Sequence, residues 1–83
     1  MSITAEQIRA AKAMLRWSGD DLSLASGVSL SSIRRVEASI GLPQAQSLRT
    51  LIAIKAALET AGVEFIGTPE NSPGVRLKSK APK

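Results

Sequence analysis

Trp17-Ser-Gly-Asp-Asp-Leu-Ser-Leu-Ala-Ser-Gly-Val-Ser-Leu-Ser-Ser-Ile-Arg-Arg-Val-Glu37 is the stretch from which the rest of this chain is read. Ser18, followed three residues later by Asp21, forms a capping pattern: each side chain can satisfy an orphan backbone N–H at a helix start. Trp17 before the cap and Leu22 after it have the spacing of a hydrophobic staple. The device recurs at Ser29, flanked by Val28 and Ile33. Between the two units stands Gly27, which adopts the left-handed conformation that ends a helix without steric penalty. The stretch predicts a helix over 19–26, a tight turn, and a second helix over 30–38. Two short helices joined at a steep angle through a glycine form a unit with which many proteins enter the DNA major groove.

Upstream, Thr4 opens a first helix, with Gln7 completing a capping box and Ile3 stapling to Ile8. Ile8, Ala11, Met14 and Leu15 fall on one helical face, while Arg9, Lys12 and Arg16 form a stripe elsewhere, read as a solvated face. Ile33, Val36 and Ile40 are expected to attach the third helix to the core. Downstream, residues 39–46 read as a loop punctuated by Gly41 and Pro43. Ser47 is placed to cap a longer helix ending at Gly62, with Leu48, Leu51, Ile52, Lys55 and Leu58 as its inner stripe. Val63-Glu-Phe-Ile66 and Val75-Arg-Leu-Lys78 alternate with period two and predict strands. The connection between them, with Pro69, Asn71 and Pro73, reads as a loop rather than a tight turn. Residues 79–83 form a short, basic, frayed tail.

Composition narrows the chemistry. Eighty-three residues make one small domain, and with Trp17 and Phe65 the only aromatics its core must be aliphatic. There is no Cys and no His. That removes disulfides, Cys-based redox sites and ordinary zinc coordination, so neither metal nor cofactor is expected. It also removes Ser–His and Cys–His activation, and no enzyme is expected. The longest strictly apolar run, Leu51 to Ile54, is too short for a bilayer, and no signal peptide is visible; a cytoplasmic protein with no membrane role is the expectation. The formal charge of +4 favours polyanionic partners only mildly, because residues 63–83 carry half of it.

Residues 17–37 resemble the lambda-repressor/Cro-like helix-turn-helix family, or XRE family, through Trp17, Ser18, Leu22, Gly27, Val28, Ser29, Ile33, Val36 and Glu37. The likeness extends from about Thr4 to Phe65. It implies a mainly α fold, a small four- to five-helix lambda-repressor-like DNA-binding domain over residues 1–66, to which the two alternating segments add a C-terminal β-hairpin over 63–78. In that family the third helix lies in the major groove, and carried over, Leu30, Ser31, Arg34 and Arg35 are its base-contacting residues. An arginine paired to guanine O6 and N7 is worth about 1–3 kcal/mol of discrimination. Arg34 or Arg35 on phosphate would instead fix register without reading sequence. Leu30 either touches a thymine methyl or packs within the protein. Ser18, Ser29 and Ser32 lie near helix starts, where hydroxyls and free N–H groups can bind phosphate; for Ser18 and Ser29, capping alone is the competing role. The family's ion pair between the first helix and the end of the third falls on Lys12 and Glu37, with Lys a less geometrically fixed partner than Arg.

The chain also departs from the family. Gly19 stands where a glutamine commonly braces a phosphate, and Asp20 and Asp21 suit a helix start but repel phosphate. Ser23 replaces a usual alanine, a change expected to have little consequence. Ile40 and Leu42 replace polar or basic residues in a loop that often contacts backbone; they cover the core or mark a protein-contact surface. The resemblance thus implies a sequence-specific regulator of transcription bound to double-stranded DNA near the nucleoid. It would act as a homodimer on a two-fold operator, joined through the long helix or the hairpin. The alternative is an antitoxin or accessory module on the same scaffold, with a second protein held through Ile40 and Leu42.

Overall fold

A computed structural model describes residues 3–42 and 48–78. The chain runs through α1 (Ala5–Leu15), α2 (Gly19–Ser26), α3 (Leu30–Glu37), α4 (Leu48–Thr60), β1 (Val63–Thr68) and β2 (Asn71–Leu77). Both capping boxes form as the sequence predicts, Thr4 with Gln7 and Ser18 with Asp21. Gly27 closes α2 at φ 75° in the left-handed conformation, and Ser29 caps α3. Ser47 and the tail 79–83 lie outside the described residues.

One core joins all six elements. Ile3, Ile8, Ala11, Leu22, Ile33, Val36, Ile54, Leu58 and Val63 are buried together, with Leu15, Trp17, Val28, Leu51, Phe65 and Val75 packed at its edge. β1 and β2 pair antiparallel, Val63 opposite Leu77 and Phe65 opposite Val75. The register shifts between Ile66 and Thr68 at Gly67, where a Cβ would collide with the Ser72 carbonyl. With Ser72 also left-handed at φ 55°, the ladder continues to Thr68 opposite Asn71. The connection is therefore the tight turn at Pro69 and Glu70, not the loop that the prolines suggested.

The expected fold class is corrected by this arrangement. Among the described residues there are four helices, and the chain after α4 enters a strand, not a fifth helix. The hairpin is no appendage to a mainly α, lambda-repressor-like domain: it gives Val63 to the core and Phe65 and Val75 to its rim. The buried Gln7 also donates from Nε2 to Gly74 O at 2.8 Å and Ile66 O at 3.3 Å, tying the hairpin to the start of α1. The fold is α+β.

Three local readings also change. On α4 the inner stripe is Leu51, Ile54 and Leu58, while Leu48 and Ile52 face outward at 65% and 55% exposure. Both stripes are apolar in the sequence, and the elements packed against α4 cover only the one that carries Leu51, Ile54 and Leu58. Met14 is exposed, beyond the face that Ile8 and Ala11 bury. Ile40 is 91% exposed and holds nothing to the core, because α3 stops at Glu37.

Candidate nucleic-acid interface

The turn between α2 and α3 is held by serines. Ser23 Oγ donates to the Val28 carbonyl at 2.6 Å, and Ser26 Oγ donates to Leu22 O at 2.7 Å while accepting from Val28 N–H at 3.2 Å. Ser23 is therefore consequential, contrary to expectation: an alanine there would leave the Val28 carbonyl without this partner. These bonds hold the turn from which α3 starts.

The far end of α3 is held from α1. Lys12 Nζ lies 2.9 Å from Glu37 Oε2, both side chains about one-sixth exposed (16% and 17%). This buried oxygen has no aligned hydrogen bond, so the ammonium is its electrostatic partner. Arg9 donates to the carbonyls of Glu37 and Ser39. Cations at a helix C-terminus favour its dipole. The Arg9 and Lys12 part of the α1 stripe is thus a brace on α3, not a merely solvated face.

Between these fixed ends α3 divides cleanly. Ile33 and Val36 are buried, and Ser31, Arg34 and Arg35 are exposed on the opposite side. Among the described residues neither arginine forms an ion pair. Leu30 is only half-buried, with its Cδ1 2.9 Å from where a Cβ on Gly19 would lie. It lines a cleft with Lys12, Ser18, Asp20 and Arg34. This is the packing alternative for Leu30, and it shows what the glycine permits: a leucine methyl fills the space of a side chain at position 19.

The serines are engaged locally. Ser18 Oγ accepts from Asp21 N–H at 3.1 Å, and Asp21 Oδ2 accepts from Ser18 N–H at 2.8 Å. Ser29 Oγ accepts from Ser32 N–H at 3.3 Å, donates to Ser32 Oγ at 3.0 Å, and lies 3.3 Å from Ser31 Oγ. Three hydroxyls thus cluster, still exposed or half-exposed, at the start of α3. Across a cleft from Ser29 and Ser32 stand Arg49 and Thr50 at the start of α4. Sequence reasoning passed over Arg49, because nothing local shows that α4 begins beside α3.

The segment after α3 is fastened to α1. Gly41 O accepts from Ala5 N–H at 2.8 Å, and Gly41 N–H donates to the Glu6 carboxylate at 3.0 Å. Glu6's own backbone N–H, then that of Gly41, and then the charge of Arg9 hold its carboxyl below the ordinary range. Ile40 and Leu42, on either side of Gly41, face solvent.

Among the described residues no group of acidic side chains is arranged to hold a metal ion, and no helix is long and apolar enough to cross a membrane. No protein-family profile matches the chain, and no curated protein matches it in sequence.

Proposed function

We propose that this chain is a sequence-specific double-stranded DNA-binding regulator, working as a homodimer on a two-fold operator in the cytoplasm. The observation that carries the reading is the outer face of α3: Ser31, Arg34 and Arg35 stand exposed, with neither arginine ion-paired among the described residues, on a helix braced at both ends. A rigid helix with free guanidinium groups supports major-groove reading, because pre-organised donors need little ordering on binding. The resemblance of residues 17–37 to the XRE family supports it independently of charge. Ser29 and Ser32 are the better-supported phosphate contacts; Ser18, beside Asp20 and Asp21, is the weaker one. Leu30 reaches a thymine methyl only with the part of its side chain not packed over Gly19. No cofactor and no catalytic step enter this reading.

Selection of bound duplexes from a random library tests it. An enriched two-fold sequence is expected. For whichever of Arg34 and Arg35 reads a base, substitution by alanine costs about 1–3 kcal/mol and relaxes specificity at one position. For one on phosphate, affinity falls uniformly and the salt slope drops by about one. No enrichment, with unchanged binding after charge reversal of both arginines, overturns the proposal.

The outward position of Ile40 and Leu42 favours a second reading, an antitoxin or accessory module holding another protein through that loop. A stoichiometric protein partner, retained without DNA and lost in Ile40→Ser, would establish it.

A further inference from the structure

Two clefts flank α3, and their charges differ. The first, toward the start of α2, is lined by Lys12, Ser18, Asp20, Leu30, Arg34 and Glu37. Its two cations are offset by two carboxylates, and Lys12 is already held 2.9 Å from Glu37. Leu30 Cδ1 occupies the space over Gly19, a residue with no donor side chain of its own. Asp20 and Asp21, both exposed, add negative charge to the first turn of α2. A phosphate approaching there meets like charge.

The second cleft, of about 340 Å³, lies between the start of α3 and the start of α4. Ser29 and Ser32 line it from α3 and Arg49 from α4, with no acidic side chain in its lining among the described residues. Arg49 is exposed and forms no ion pair among those residues. Ser32 Oγ accepts from Ser29 Oγ at 3.0 Å, which leaves the Ser32 hydroxyl proton for a further acceptor. A guanidinium fork and a hydroxyl across an open cleft are donors suited to a phosphate oxygen. Against roughly 30 Å³ for one water molecule, the space admits an anion with part of its hydration.

We propose that the cleft between α3 and α4 holds one backbone phosphate of the duplex, with Arg49 as its cation and Ser32 as its hydroxyl donor. The strand is thus gripped on the α4 side of α3 rather than at the start of α2. The inference rests on the DNA-binding reading and adds to it the place where the backbone is held.

Binding of the full chain to a fluorescein-labelled copy of the enriched duplex, measured against salt concentration, provides the test. Arg49→Ala, at an exposed position, is expected to leave the circular dichroism spectrum unchanged and to weaken binding about tenfold. The salt slope drops by about one and the preferred sequence stays the same. Replacing single phosphates by neutral methylphosphonates locates the contact: one position per bound chain weakens the wild-type protein and has no further effect on Arg49→Ala. A carboxylate added at each cleft compares the two flanks, since both positions lie at helix starts that accept aspartate. Ser32→Asp is expected to cost more affinity than Ser18→Asp. Unchanged affinity and salt slope in Arg49→Ala, while Arg34→Ala or Arg35→Ala still weakens binding, overturns the inference and leaves the DNA-binding reading standing. So does a greater loss in Ser18→Asp than in Ser32→Asp, or a methylphosphonate profile identical in wild type and Arg49→Ala. Failure to enrich any duplex overturns both.

Discussion

Leu30 Cδ1 occupies the space that a side chain on Gly19 would enter, 2.9 Å from the position of its Cβ. The two residues close the gap between the start of α2 and the start of α3, and must be changed together. The atom that has to move is the far end of a flexible side chain, so Gly19→Ala should change stability by no more than about 1 kcal/mol. In a Leu30→Ala background the same substitution should be more favourable by roughly 0.5–1 kcal/mol, because helix propensity then acts without the clash. Urea denaturation of the four proteins measures this coupling, and strictly additive effects would refute it.

Lys12 and Glu37 make a second coupled pair, between α1 and the end of α3. Lys12→Met leaves the buried Glu37 Oε2 without its cation and should cost about 1–3 kcal/mol. Adding Glu37→Met removes the stranded charge and should recover much of that loss. A double variant as unstable as the sum of its parts would show that the pair contributes nothing as a pair.

What was legible in the sequence was local. Thr4 with Gln7, Ser18 with Asp21, Gly27 and Ser29 announced the starts of α1, α2 and α3 and the end of α2, because caps act within one turn of the chain; the end of α1, at Arg16 in the left-handed conformation, carried no such signal. What was not legible depended on residues far apart meeting. Leu48 and Ile52 have the same hydropathy as Leu51 and Ile54, and only the neighbours of α4 decide which stripe is buried. Gln7 reads as a cap from its spacing, yet its amide also serves the hairpin some sixty residues later. In the candidate site, Ser31, Arg34 and Arg35 face outward because Ile33 and Val36 must face inward, a consequence of helical period alone. The braces at Arg9 and Ser23, and the position of Arg49 beside the start of α3, needed the tertiary structure.

The two functions of Gln7 can be separated. Gln7→Glu keeps an oxygen to accept from Thr4 N–H, but cannot donate to the carbonyls of Gly74 and Ile66 at neutral pH. It should therefore destabilise nearly as much as Gln7→Ala, by about 2–3 kcal/mol, since both leave partly buried carbonyls without a donor. Amide exchange in β1 and β2 should accelerate in both variants. If Gln7→Glu instead behaves like the wild-type chain, the side chain acts only as a cap.

Glu6 links folding to acid. Its own backbone N–H, the Gly41 N–H and then the charge of Arg9 lower its pKa in the folded chain below the ordinary value of 4.5. A carboxylate so depressed contributes stability that is fully present above the unfolded value and is lost as pH falls through the folded one. Glu64, lowered chiefly by its hydrogen bond from Arg76 at 3.0 Å, works in the same direction. The urea midpoint should therefore be insensitive to these two groups from neutrality down to about pH 5.5, since both are ionised there in either state. It should fall below pH 4.5. Glu6→Gln should flatten part of that fall. The Gly41 amide resonance provides the site-specific check: it should titrate with a midpoint below 4.5 and lose that titration in Glu6→Gln. A midpoint at the ordinary value would mean that the carboxylate is solvated and that the segment after α3 is not fastened to α1 through it.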